Sequence, residues 1–215
     1  MRTSTPKSNI HVVMLLDIIC EWCCLGKYML DSLRDNYDFA LDYLFMEIHP
    51  DAPVHGMPMS WHLEEPKKFY DTLNSIGEPY GIHFMEKDIF SNTHSALRVA
   101  EYALNKGKAE AFLNQIWDLY MFKGENISDS NVILQALLQA GLPPIALDKA
   151  LTEPIWEQKL IENAKTNDLV GLNGNVPGFI VNGKYVLSGA QPKEVWEEVF
   201  ELCMHEMPCN DRHNH

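Results

Sequence analysis

Apolar positions along the chain change their spacing three times. His11 to Leu16 is short and nearly continuous, which predicts a strand buried on both faces. From Cys20 to Arg34, Leu25, Tyr28, Met29 and Leu33 recur at helical spacing. Phe39 to Met46 then returns to a dense aromatic and aliphatic run and predicts a second strand. The order strand, helix, strand predicts a parallel βαβ unit, because parallel neighbours need a crossover long enough to hold a helix.

From Pro50 to about Val170 the patterns are helical, over Asn92–Lys106, Ala109–Met121, Ser130–Ala140 and Pro154–Leu169. Turns such as Gly141-Leu142-Pro143-Pro144 separate them, and Asn92 and Asp129 are candidate caps for free first-turn amides. Phe179–Val181 and Tyr185–Leu187 follow, joined by Asn182-Gly183-Lys184, a hairpin signal because Asn and Gly tolerate positive φ. Pro192 can then open a helix that buries Val195, Trp196, Val199, Phe200 and Cys203. The chain therefore divides into a βαβ half (10–55), a helical block (56–170), a ββα half (171–203) and a tail (204–215).

A length of 215 residues suits one large domain or one domain carrying an insertion. Lys and Arg number 17 against 30 Asp and Glu, a net charge of -13 that repels phosphate backbones and anionic lipid. The expectation is no nucleic-acid and no membrane partner. Residues 1–9 are polar, and the apolar run Val12–Leu16 ends at Asp17, too short for a signal peptide or a spanning helix. A cytoplasmic, reducing setting is therefore expected. There, clustered cysteines serve catalysis or metal binding more often than structural disulfides. Of five cysteines, three lie within Cys20–Cys24 and two within Cys203–Cys209.

Cys20-Glu21-Trp22-Cys23 stands where the first strand gives way to a helix. A cysteine at a helix start meets free amides and the positive end of the helix dipole, which favour thiolate, the nucleophilic form. A second cysteine three positions on lies about one turn away on the same side and can close a disulfide. In a redox reading Cys20 attacks and Cys23, a turn deeper, resolves the mixed disulfide. The same spacing also serves half of a zinc site, or two incidental buried cysteines. Asp17, three residues before Cys20, is either an influence on its proton or a strand-end residue.

The stretch Asp17-Ile18-Ile19-Cys20-Glu21-Trp22-Cys23-Cys24-Leu25-Gly26-Lys27 resembles the active-site segment of DsbA-like thioredoxin-fold oxidoreductases, in particular the cytoplasmic FrnE-like branch. Gly174-Asn175-Val176-Pro177-Gly178-Phe179 through Gly189-Ala190-Gln191-Pro192 is similar to a second segment of that family. The resemblance covers about residues 10–203. It implies an α/β thioredoxin fold, its βαβ and ββα halves separated by a large all-helical insertion. The activity it implies is thiol–disulfide exchange through Cys20 and Cys23, acting on protein or small-thiol substrates. It further implies a cis Val176–Pro177 bond whose backbone binds an extended substrate. No bound cofactor or metal is expected beyond the redox disulfide, with glutathione a candidate electron partner. Alternative readings are a glutathione-dependent transferase or isomerase of the kappa or hydroxychromene-carboxylate type, and a non-enzymatic metal-binding protein.

Four features depart from the family pattern or extend it. Glu21 stands in place of proline and, with Trp22, is a candidate for tuning the pair. A carboxylate ~6 Å from a thiolate opposes it by about 0.7 kcal/mol in water and about 2.8 kcal/mol at a dielectric of ~20, which predicts a weaker oxidant than a strongly oxidising DsbA unless Glu21 points into solvent. Cys24 is either a small buried residue or a spare thiol. Gly178, where relatives often carry Thr or Ser, is expected to widen the substrate groove. Cys203 and Cys209 form a candidate second redox pair, soft metal ligands together with His205, His213 and His215, or a core cysteine and a tail. His49, His55, His62, His83 and His94 show no metal spacing and are expected at the surface.

Overall fold

The computed structural model describes residues 10–205. β1 (Ile10–Leu16), α1 (Glu21–Asp31) and β2 (Phe39–Phe45) form the first unit, with β1 and β2 parallel and Ile10 opposite Phe39. The insertion begins with a minimal antiparallel pair, β3 (Met57–Pro58) and β4 (Ile89–Phe90), which encloses α2 (Met59–His62) and α3 (Pro66–Gly77). It continues as a helical layer of α4 (His94–Asn105), α5 (Ala109–Trp117), α6 (Ser130–Gln139), α7 (Ile145–Thr152) and α8 (Pro154–Leu169). β5 (Gly178–Val181), β6 (Tyr185–Ser188) and α9 (Lys193–His205) complete the chain.

The main sheet has the order β2-β1-β5-β6, so β1 is central, parallel to β2 and antiparallel to β5. Val12, Met14 and Leu16 on one face are fully buried, and the other face runs from exposed His11 to fully buried Leu15, so burial on both faces is reached at the end of β1 that leads to Cys20. α1 and α9 lie together over the sheet, and α4 and α8 pack against β2. Trp196 on α9 meets Phe179 edge-on at 4.8 Å and Phe200 at 5.7 Å, while Phe200 reaches Phe39 at 5.3 Å, so aromatic contacts tie the two halves together.

Local chemistry sets the element ends. Asp129 caps α6, its carboxylate accepting from the Asn131 amide. At the first turn of α4, Asn92 accepts from the His94 amide, and Thr93 is the cap residue. Asn182 and Gly183 take φ of 50° and 66° in the hairpin turn. α3 is not among the predicted helices although Phe69, Tyr70, Leu73 and Ile76 recur at helical spacing, whereas the two-residue strands left no mark in the hydrophobic pattern. α3 buries only Tyr70, Leu73 and Gly77, and a two-residue strand is shorter than one alternation period.

Candidate active site

β1 delivers the chain to the centre of the sheet, and residues 17–20 turn it into α1. Cys20 has extended backbone (φ -79°, ψ 109°) and is the N-cap, its sulfur accepting from the Cys23 amide at 3.2 Å. It takes the place a Ser or Asp oxygen usually fills, so the first turn solvates this sulfur with backbone N–H dipoles. The Cys20 thiol also faces the Val176 carbonyl, 3.8 Å away. Cys20 retains 9% of its surface and Cys23 none. Burial, followed by the hydrogen bond and charge of Cys20, pushes the Cys23 thiol well above its usual range.

The Val176–Pro177 bond is cis. The loop that holds it lies close against α1. A Cβ on Gly26 would stand 3.3 Å from both Pro177 Cγ and Phe179 Cζ, so a glycine permits this approach. From the other side, Trp117 of α5 donates to the Ile18 carbonyl at 3.0 Å and fixes the turn that carries Cys20.

Asp17 is fully buried at the start of the turn that leads to Cys20, where its carboxylate accepts from the amides of Ile19 (3.2 Å) and Ile48 (2.9 Å) and from the Thr93 hydroxyl (3.3 Å). Burial outweighs these bonds and raises its pKa to about 7. Asp17 charge is also among the influences that raise Cys23.

Glu21 departs from both expectations formed from sequence. It neither faces solvent nor stands uncompensated, because its Oε1 lies 2.7 Å from the ammonium of the wholly buried Lys87. The Tyr70 hydroxyl donates to the same oxygen at 3.0 Å. Trp22 is partly exposed and lines a groove of about 230 Å³ that opens beside Cys20. Ile48, Met59, Phe69, Phe90, His49 and His62 form much of its wall.

His62 is exposed, as expected, and His49 is half-buried, but the two are not scattered. Their rings meet edge to face at 5.0 Å, one from the segment after β2 and the other from α2. Burial lowers the pKa of each, so both favour the neutral form. Nothing in their spacing of thirteen residues signals this meeting. His94 instead bridges Glu47 and Glu157, each at 3.0 Å.

One further expectation changes. Gly178 does not widen the groove, because a Cβ there would fall 2.2 Å from Leu172 Cδ1, whose side chain fills the space. Cys24 is fully buried, and burial raises its thiol well above the usual range. Cys203 is buried on α9, whereas Cys209, His213 and His215 lie outside the described residues, as does any pairing through them. Among the described residues, no group of three or more His, Cys, Asp or Glu side chains is placed to hold a metal ion. No described helix is long and apolar enough to cross a membrane.

The profile of the DSBA-like thioredoxin domain family matches residues 11–201, and the chain belongs to that family. It is 21% identical over 199 residues to the uncharacterized protein YwbO of Bacillus subtilis, covering 88% of this chain and 95% of that protein. Among solved structures it is similar to the probable DsbA oxidoreductase SCO1869 of Streptomyces coelicolor, with a TM-score of 0.84, 19% identity and coverage of 95% and 94%. A 2-hydroxychromene-2-carboxylate isomerase matches with a TM-score of 0.71, 16% identity and coverage of 91% and 97%.

Proposed function

We propose that this DSBA-like protein is a thiol–disulfide oxidoreductase that cycles Cys20 and Cys23 between dithiol and disulfide. The observation that carries the reading is the capped sulfur, Cys20 accepting from the Cys23 amide with the second thiol one turn deeper. Cys20 thiolate attacks a substrate disulfide, forming a mixed disulfide and releasing one substrate sulfur as thiolate. Cys23, as thiolate, then attacks the Cys20 sulfur. The second substrate thiolate leaves, and the Cys20–Cys23 disulfide remains. Run in reverse, the same steps oxidise a dithiol. Cys23 must lose its proton in the resolving step although burial holds that proton on. Asp17, a buried carboxyl with a pKa of about 7, is the proton acceptor in this reading.

The substrate is a protein or small thiol whose backbone meets Val176, with its side chain in the groove beside Trp22. Glutathione serves as electron partner in a reducing compartment. An isomerase on the same fold has no use for a resolving thiol, since isomerisation transfers no electrons. The two readings therefore separate on the fate of Cys23. Alkylation with mass spectrometry across a glutathione redox series tests the proposal. The expected result is a two-electron transition confined to Cys20 and Cys23. Thiols at Cys20 and Cys23 that stay reduced across the whole series would remove it.

A further inference from the structure

We infer that Lys87 is a positioning residue of the thiol site, the cation that makes a carboxylate between the two cysteines compatible with a thiolate at Cys20. The inference rests on the oxidoreductase reading. It starts from a position where the sequence predicts a conflict: Glu21 opens the helix whose first turn solvates the Cys20 sulfur, and an unpaired carboxylate there opposes that sulfur's charge.

The structure resolves the conflict from 66 residues away in the chain, the separation between Glu21 and Lys87. Lys87 lies in the irregular segment that precedes β4, and its side chain has no exposed surface. A buried ammonium without a counter-charge is strongly unfavourable, so its environment identifies what it is there to meet. Its carboxylate partner is Glu21 at 2.7 Å, shielded to 13% exposure. Two aromatic faces complete the cage, with the ammonium 4.9 Å from the Tyr70 ring centre and 4.4 Å from that of Tyr120. Tyr70 also donates to the Glu21 oxygen that Lys87 engages, so one ring supports both members of the pair. At Cys24, early in α1, the two charges act with opposite signs, the Lys87 ammonium favouring the thiolate and the Glu21 carboxylate opposing it.

An ion pair that merely joins the insertion to α1 contributes to stability alone. A pair in the dipeptide between redox cysteines also sets the local charge that the reduced form must tolerate. With Lys87 removed, Glu21 opposes the thiolate and the disulfide gains. With Glu21 removed, an unpaired cation favours the thiolate and the dithiol gains. Opposite signs from the two single variants are the signature of this role, since a loss of packing has no reason to reverse direction.

The test is the Cys20–Cys23 dithiol–disulfide equilibrium against glutathione in the full-length chain, for wild type, K87M, E21Q, K87R and the double variant E21Q/K87M. The expected shift for K87M is about tenfold toward disulfide, equivalent to about 30 mV toward a more reducing potential. E21Q is expected to shift toward dithiol, while K87R and the double variant stay within about threefold of wild type, less than a single buried charge produces. Should K87M fail to fold, E21Q and the charge-free double variant decide the question. An unmoved equilibrium in E21Q, or single variants that move in the same direction, would overturn the inference. A wild-type protein that forms no Cys20–Cys23 disulfide anywhere in the series instead defeats the oxidoreductase reading, and this inference falls with it.

Discussion

Asp17 and Glu21 stand three residues before and one residue after Cys20, and the protein surrounds them differently. The floor of the site holds Asp17 with neutral donors only, two amides and a hydroxyl, at full burial. The wall contributed by the insertion holds Glu21 against a full positive charge, supported by a tyrosine hydroxyl. Hydrogen bonds from neutral groups leave the desolvation of Asp17 only partly offset, so it keeps its proton until about pH 7. The difference teaches that a carboxyl's role near a thiol is set by its partner's charge, not by its distance along the chain. A floor group that gains and loses a proton near neutrality suits proton transfer; a wall group locked to a cation suits a fixed field.

The largest effect removes what both regions act upon. Cys20→Ser is expected to reduce disulfide exchange to the uncatalysed background, whereas Cys23→Ser should accumulate a mixed disulfide with glutathione, seen as a mass increase that dithiothreitol reverses. Equal loss in both variants with no adduct would mean that attack and resolution are not divided between them.

Asp17→Asn should slow resolution of the mixed disulfide by about a hundredfold in stopped-flow experiments near pH 7, the scale of a lost general base. It should also alter stability. Because folding raises the Asp17 pKa from 3.8 to about 7, the folded state binds more protons than the unfolded state between those values. The stability associated with the protonated carboxyl is complete below about pH 4 and declines as pH rises through about 7. Urea titrations should show this slope reduced in Asp17→Asn by on the order of 4 kcal/mol across the window. Glu101, raised to about 7 chiefly by burial, leaves a residual slope in the same direction.

Smaller effects test the packing behind the site. Gly178→Ala forces Leu172 aside and should destabilise the chain by about 1–3 kcal/mol in urea. The double variant Gly178→Ala with Leu172→Ala should lose less than the sum of the two singles. Strict additivity would mean that Leu172 does not occupy the missing side chain's space. Smallest is Cys24→Ala, expected to cost about 1 kcal/mol through one lost buried sulfur, with the glutathione equilibrium of Cys20 and Cys23 unmoved. A shifted equilibrium would make Cys24 part of the thiol chemistry.

What could be read from the sequence is what depends on near neighbours. The strand-to-helix switch at Cys20, the i, i+3 placement of Cys23 and the hairpin at Asn182-Gly183 follow from local backbone geometry, and dense apolar runs mark the strands of the main sheet. The Asp129 cap was legible for the same reason, since a cap bonds an amide two residues on. Lys87, His49 and His62 carry no such mark. Each is a single polar residue in or beside irregular chain, and the same letters at an exposed position would read identically.

The sequence by itself determined that two thiols share the first turn of a helix entering from a buried strand, because that relation spans four residues and repeats wherever the turn forms. Only the tertiary structure decided that Glu21 is neutralised, that Asp17 is desolvated and that two histidines line the groove. Charge compensation and burial are properties of what surrounds a side chain in three dimensions. Here those surroundings come from the segment after β2 and from the insertion, tens of residues away, and are fixed only when these pack around the start of α1.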